Sequence, residues 1–291
     1  MIPHMPPKQV TSWALYDWAN SAFATTIIAG FFPIFFKSYW SHGLDPTIST
    51  AHLGQLVSAS AAVLALMSPF LGALADSRQS KKKILGAFLL LGSSACLVMG
   101  MLSSGHWMIA AIAYAVGLLG FSGGNIFYDS LLPGVLGDKK SEQVSALGYS
   151  LGYLGGGLLF AFNVWFYLQP HFWGFADGVE AIRFSFFSVG IWWILFSIPL
   201  FIWVKEPKGS SAAAPLKGVI KTIRNLNKNT LVFLFAFWLY IDGVDTIISM
   251  AIDYGMSIGL DKQSLIIALL ITQFVGFPAA LGFGFLSNKL P

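Results

Sequence analysis

Charged residues are scarce in this sequence: they make up 10% of its 291 residues, while 56% of the residues are hydrophobic. A soluble domain carries about 25% charged residues and about 45–50% apolar ones. With 26 Phe and 10 Trp, the chain holds more apolar surface than a soluble core can bury. The composition therefore excludes a water-soluble globular domain and predicts a polytopic membrane protein.

The side chains that build most catalytic and metal sites are also few. Cys96 is the one cysteine, so the chain can form no internal disulfide and has no cysteine spacing for a metal. The five histidines are scattered over tails and loops, and no Gly-rich nucleotide-binding loop followed by Lys is present. We therefore expect no cofactor, no metal site and no enzymatic activity.

Long apolar runs are abundant instead. A helix needs roughly 20 apolar residues to cross the hydrocarbon core of a bilayer. The first run covers about 24 residues, too many for the core of a signal peptide, so we interpret it as a retained span. The runs predict an all-helical membrane protein with eight spans, at about residues 13–36, 53–75, 84–102, 107–131, 145–168, 184–204, 230–256 and 264–286.

The longest connection, residues 205–229, separates six spans from the other two. It is rich in Pro, Gly, Ser and Ala and carries several basic residues, and a short amphipathic helix is predicted near Leu216–Leu226. We predict a six-span bundle over 1–204, a basic linker over 205–229 and a partial second bundle over 230–291. Six spans plus two suggest a six-plus-six transporter without its last four spans, as a fragment, a truncated reading frame or a shorter protein.

The basic residues are distributed unevenly between the two sides of the membrane. If the N-terminus is cytoplasmic, 14 of the 17 Lys and Arg residues lie on the cytoplasmic side, all but Lys37, Arg183 and Lys262. Such a bias predicts the cytoplasmic side, so we expect a multi-pass protein of the cell membrane, or of the inner membrane in a Gram-negative bacterium. The basic residues then face anionic lipid head groups, and we expect no nucleic-acid partner.

Span 1 carries Asp17 and Asn20 within "LYDWANSAF", with no Lys or Arg nearby. A charged side chain costs on the order of 2.5–3.5 kcal/mol at the centre of a span, and such residues mark solute or ion pathways by default. At the end of span 4, Asn125 and Asp129 are four residues apart on one helix face, with Tyr128 beside them. We predict that these five residues bind a substrate or a proton.

Span 5 repeats glycine at intervals of four residues, at Gly148, Gly152 and Gly156. Small residues at this spacing let membrane helices approach closely, so we predict a packing face. The alternative is functional, because the stretch resembles an antiporter signature (Gly-Pro, two residues, Gly-Gly) with Tyr153 in place of the Pro.

Span 7 contains three acidic residues. Asp242 and Asp245 are three apart and share a helix face, and we predict both as substrate or proton-binding candidates. Asp253 lies on the same side of the helix, and we expect it near the membrane interface. Gly243 and Gly255 are expected to interrupt the helix, as in discontinuous transporter spans.

The stretch "FLGALADSRQSKKK" ends span 2 and resembles the loop signature of the major facilitator superfamily: Gly, three residues, Asp, then basic residues. The resemblance implies a cytoplasmic gating loop formed by Gly72, Asp76, Arg78, Lys81 and Lys82, and we expect Gly72 to allow close helix approach. The residue after the Asp and the expected second Gly differ from the signature. A basic cluster that only fixes topology explains the lysines equally well.

Four stretches together, "YDWANSAF", "NIFYDSLLP", "SALGYSLGYLGGG" and "LYIDGVDTI", resemble the vacuolar-effluxer, autophagy-related branch of that superfamily in its compact bacterial form. The resemblance implies a helical bundle made of the six-span N-terminal half and the first two spans of the C-terminal half. It also implies a secondary transporter that works by alternating access. In the eukaryotic members the transport is amino-acid efflux from the vacuole, so a small solute such as an amino acid is the expected substrate, with proton coupling left open.

Two other functions compete with transport. One is a non-transporting membrane protein, because four spans of the expected twelve are missing. The other is an intramembrane aspartyl protease, which needs two carboxylates on facing helices. Its Gly-x-Gly-Asp signature is absent, because Leu136 stands where the first Gly is required before Asp138. The oligomeric state is left open.

Overall fold

The computed structural model describes residues 7–77, 80–136, 141–206 and 225–286, and its regular structure there is helical throughout. Eight of these helices are long and apolar enough to cross a membrane. The prediction of an all-helical, eight-span membrane protein is confirmed. Spans 1 to 8 are Lys8–Trp40, Pro46–Ala75, Lys81–Met101, Trp107–Asp129, Ser141–Leu168, Gly178–Trp203, Lys228–Ser257 and Lys262–Leu286.

Several spans begin before their apolar runs, because polar residues cap the helices. Span 6 starts at Gly178, where the Asp177 carboxylate accepts the Glu180 N–H at 2.9 Å. Span 7 starts in the same way, with the Asn227 side chain accepting the Thr230 N–H at 2.8 Å. Each cap pairs a backbone N–H that the first helical turn would leave without a partner.

Span 1 is the central helix, since 89% of its most apolar window is buried. It begins as an α-helix over Pro7–Ala22 and continues with wider π-type turns over Phe23–Phe31 and Phe36–Trp40, on either side of a short α-helix over Phe32–Phe35. The sequence analysis did not predict these turns. Aromatic side chains surround this half of span 1; the Phe32 ring, for example, stacks on Tyr114 of span 4 with centroids 4.0 Å apart.

Span 4 ends at Asp129, and a short helix over Leu132–Leu136 follows with Pro133 in its first turn. Proline favours this position because it has no N–H to leave unpaired. Span 7, in contrast, is one continuous helix over Lys228–Ser257, so the predicted interruptions at Gly243 and Gly255 are wrong. At Gly255 the glycine serves close packing, because a Cβ there would lie 2.7 Å from the Leu265 side chain of span 8.

The helix ends define two faces of the bundle. We call the end where odd-numbered spans begin the basic face, and the opposite end the far face. At the basic face, the Lys81 ammonium donates to the Ser130 carbonyl at 3.1 Å, and the Lys82 ammonium donates to the Val204 carbonyl at 2.8 Å. Span 3 thereby connects to the ends of spans 4 and 6.

Spans 7 and 8 attach to the six-span bundle in different ways. Span 8 packs along span 5: Gly157 lies against Gln273 and Ala146 against Gly284. Span 7 contacts the second half of span 1, and its residues 231–240 are all exposed. Most of the predicted linker, with the helix expected near Leu216–Leu226, lies outside the described residues.

Candidate functional site

Spans 1 and 4 meet through two amide side chains. The Asn20 Nδ2 donates to the Asn125 Oδ1 at 2.6 Å, and Asn20 is 1% exposed. The contact joins residues 105 positions apart in the sequence. The structure therefore brings together two of the predicted binding residues on separate helices.

An aromatic group lies beside these amides, towards the basic face. The Trp13 and Tyr128 rings stack with centroids 4.4 Å apart, and the Trp13 Nε1 donates to the Tyr128 carbonyl at 3.2 Å. The Tyr16 ring lies 4.8 Å from Tyr128, centroid to centroid. Tyr128 was predicted from the sequence, whereas Trp13 and Tyr16 were not, because their inward orientation depends on how span 1 is rotated.

Two carboxylates flank the aromatic group. Asp17 is half-buried and Asp129 is exposed, and the two lie close enough for their charges to interact. No ion pair joins either of them to a Lys, Arg or His within the four described ranges. Each can therefore take a cationic ligand or a proton as its partner.

The predicted glycines of span 5 line one side of this site and pack against span 1. A Cβ at Gly148 would lie 3.2 Å from the Asp17 Oδ2 and 3.3 Å from the Tyr128 hydroxyl. A Cβ at Gly152 would lie 2.6 Å from the Ser21 Oγ, and one at Gly156 would lie 2.7 Å from the Thr25 Oγ1. Span 1 thus presents Asp17, Ser21 and Thr25, each four residues apart, to the glycine face of span 5.

Three buried polar atoms of the site have no hydrogen-bond partner among the described residues: the Asn20 Oδ1, the Tyr16 hydroxyl and the Tyr128 hydroxyl. Most buried polar atoms in proteins are paired, and an unpaired one is costly. A bound solute that supplies donors and acceptors here would satisfy them. We call Trp13, Tyr16, Asp17, Asn20, Asn125, Tyr128 and Asp129 the polar cluster.

The structure does not connect Asp242 and Asp245 to the polar cluster. Both side chains are exposed on span 7, close enough to interact electrostatically with each other. No hydrogen bond or ion pair links them to spans 1 or 4 in the part of the chain that the structure describes. Their role in binding stays a prediction.

The predicted gating loop is described in part. Span 2 extends as a helix to Ser77, so Gly72 and Asp76 are helical, while Arg78 and the side chain of Asp76 lie outside the described residues. The expected close approach at Gly72 is wrong, because a Cβ there would meet no described atom within 4 Å. Lys81 and Lys82 reach backbone carbonyls, as described for the basic face.

A second polar group, at the far face, was missed by the sequence analysis. The Lys37 Nζ lies 3.1 Å from the Asp253 Oδ1, and the Thr50 hydroxyl donates to the Asp253 Oδ2 at 2.8 Å. The sequence predicts Asp253 near the interface but gives no partner for it. A signal existed, because Lys37 is one of three basic residues predicted on that side and ends span 1 as Asp253 ends span 7.

No group of three metal-ligating side chains occurs within the described ranges. The polar cluster contains carboxylates, amides and phenols on two membrane helices, with glycines on a third. These groups can hold a small polar molecule by hydrogen bonds and charge. They include no activated nucleophile beside a base.

Comparison with known proteins finds relatives of the chain as a whole. Residues 48–291 match the family model described as vacuole effluxer Atg22 like. An uncharacterized MFS-type transporter of Bacillus subtilis, YxiO, is 36% identical over 97% of this chain and 68% of its own length. Autophagy-related protein 22 of Eremothecium gossypii is 22% identical over 91% of this chain and 63% of its own length.

Among solved structures, a D-xylose-proton symporter matches with a TM-score of 0.60 at 16% identity, over 92% of this chain and 66% of that one. At this identity the match supports the fold alone. The chain thus spans about two thirds of the length of these relatives.

Proposed function

Because the chain belongs to the Atg22-like vacuole effluxer family and is similar to an MFS-type transporter, we propose that it is a secondary transporter working by alternating access. The proposed substrate is a small polar solute such as an amino acid, and the proposed direction is efflux. The proposed location is the cell membrane, with the basic face in the cytoplasm as the distribution of Lys and Arg predicts.

The observation that carries the proposal is the polar cluster itself. Within a membrane bundle, Asp17 and Asp129 have no cationic partner in the described residues, and buried amide and phenol groups beside them are unpaired. Such groups are costly in a membrane unless a ligand or water serves them. A solute that binds and leaves would explain why no described residue supplies these partners.

The chemistry of the cluster fits a zwitterion. The ammonium group of an amino acid would pair with Asp17, and its carboxylate would accept from the Tyr16 and Tyr128 hydroxyls. At Gly148 and Gly152 the backbone of span 5 packs closely against Asp17, with no side chain between them. A proton bound at Asp17 would compete with the ammonium group, which would couple solute release to proton entry.

Transport can be measured directly in liposomes containing the purified chain and loaded with a panel of radiolabelled amino acids. We expect solute movement that responds to an imposed proton gradient. Asp17→Asn should lower the rate at least about tenfold, because hydrogen bonds to charged groups contribute about 1.5–3 kcal/mol.

Asp261→Asn is the matched control, since Asp261 lies outside the spans and caps span 8. It should leave the rate unchanged. The proposal is wrong if no amino acid moves, and the assignment of Asp17 is wrong if both variants transport equally well.

A further inference from the structure

Span 7 is attached to the first six spans at one end. Its residues 231–240 are all exposed, and its buried residues cluster near its far-face end, at Ser249, Ile252, Asp253 and Gly255. Besides span 8, its contacts fall on the second half of span 1 and on span 2. The position of span 7 therefore depends on what happens at the far face.

The polar group at that face is built as a closed triad. The Lys37 Nζ donates to the Thr50 Oγ1 at 2.9 Å and to the Asp253 Oδ1 at 3.1 Å, and Thr50 donates to the other Asp253 oxygen at 2.8 Å. Both carboxylate oxygens are thus occupied. The three residues come from three different spans, 1, 2 and 7.

Because the triad is buried, neither of its charges can lose its partner at low cost while the spans stay packed. Asp253 is 1% exposed and the Lys37 side chain is 14% exposed. Removing one charge leaves the other buried without compensation, which is strongly unfavourable unless the spans separate and admit water. Separation of span 7 from spans 1 and 2 is what alternating access needs at this face.

A second polar contact between the two sets of spans lies deeper. The Thr25 Oγ1 donates to the Gln273 Oε1 of span 8 at 3.2 Å, with Gln273 9% exposed. Thr25 lies twelve positions before Lys37 on the same span, towards the basic face. Span 8 also packs along span 5, so this side stays joined when the far end of span 7 moves.

We propose that Lys37, Thr50 and Asp253 form the gate that closes the solute path at the far face. The structure is the closed state of that gate, and the gate opens when the Lys37–Asp253 pair breaks and span 7 moves away from spans 1 and 2. The inference rests on the proposed transport function for its purpose. The coupling between these three residues can be tested without any transport.

The test is a distance measurement between spin labels on the purified full chain in nanodiscs. Labels go on cysteines replacing Ile48 and Tyr254, which are exposed beside Thr50 and Asp253. Native Cys96 is fully buried, so it gives little background. The parent should show one short distance by double electron–electron resonance.

Lys37→Met and Asp253→Asn should each raise the population of a longer distance about tenfold or more. The charge exchange Lys37→Asp with Asp253→Lys should return the short distance. Thr50→Val keeps both charges and the shape but removes the hydroxyl, so a smaller shift in the same direction is expected. Lys262→Met, an exposed lysine on the same face, is the matched control and should change nothing.

The gate is refuted if the distances of Lys37→Met and Asp253→Asn match the parent, or if the charge exchange stays as open as either single variant. If a single variant fails to fold, the charge exchange and Thr50→Val still decide. Shifted distances in a chain that transports no solute would uphold the gate and refute the transport proposal. Unshifted distances in a chain that does transport would refute the gate and uphold the transport proposal.

Discussion

At the scale of single residues, the candidate site depends on the absence of side chains at two glycines of span 5 as well as on the polar side chains of span 1. Gly148 and Gly152 leave room for the Asp17 carboxylate and the Ser21 hydroxyl. A Cβ at Gly148 would lie 3.0 Å from the Trp13 ring and 3.2 Å from the Asp17 Oδ2, and one at Gly152 would lie 2.6 Å from the Ser21 Oγ. Small residues therefore allow span 5 to pack closely on span 1 beside Asp17.

Gly152→Ala tests how the packing of span 5 on span 1 affects stability and solute binding. The added methyl would lie 2.6 Å from the Ser21 Oγ and 3.4 Å from the Asp17 Cγ, so span 1 must shift. We expect the free energy of unfolding to fall by about 1–3 kcal/mol and solute binding to weaken, measured by thermal unfolding and by binding in detergent. Gly54→Ala is the control, because a Cβ at Gly54 meets no described atom within 4 Å. Equal unfolding temperatures for both variants would contradict the packing role.

At the scale of elements, the spans are set by apolar length and their ends by polar caps. At the far face, the Asp45 carboxylate accepts the Thr47 N–H at 2.7 Å and the Asp261 carboxylate accepts the Ser264 N–H at 2.9 Å. These hydrogen bonds hold the pKa of both carboxyl groups below the usual value. Spans 2 and 8 therefore each begin with a capping carboxylate that becomes protonated at low pH.

The sign of the pH effect follows from the lowered pKa. The caps stabilise the helix ends in full above the usual pKa of Asp, about 3.9, and lose this effect as the pH falls through the lowered pKa. We expect the hydrogen-exchange protection factors of the Thr47 and Ser264 amides to drop in that acid range. The Thr230 amide, capped by the non-titrating Asn227, should keep its protection. A parallel loss at Thr230 would show general unfolding rather than loss of the caps.

At the scale of the whole molecule, the sequence predicted the fold and named five of the seven residues of the candidate polar cluster, whose binding role stays a prediction. Apolar run length predicted all eight spans. The four-residue spacing of Asn125 and Asp129 predicted a shared helix face, and the structure adds the contact of Asn125 with Asn20. Pro133 explained why span 4 ends where it does.

The remainder depends on tertiary packing. Trp13 and Tyr16 point inward because of how span 1 is rotated, and Lys37 meets Asp253 because of how spans 1 and 7 lie along each other. The local pattern of residues in one helix predicts neither feature. The interruptions expected in span 7 were wrong because Gly255 packs against Leu265 within an unbroken helix. Local sequence rules describe single helices, whereas these features arise between helices.

The measurement that tests the central claim most directly is equilibrium binding of radiolabelled amino acids to the purified chain. The account predicts saturable binding by the parent and by Asp261→Asn, and affinity lower by about tenfold or more in Asp17→Asn, since one charged hydrogen bond is lost. Binding that is absent from the parent, or equal in Asp17→Asn and the parent, would contradict a solute site in the polar cluster.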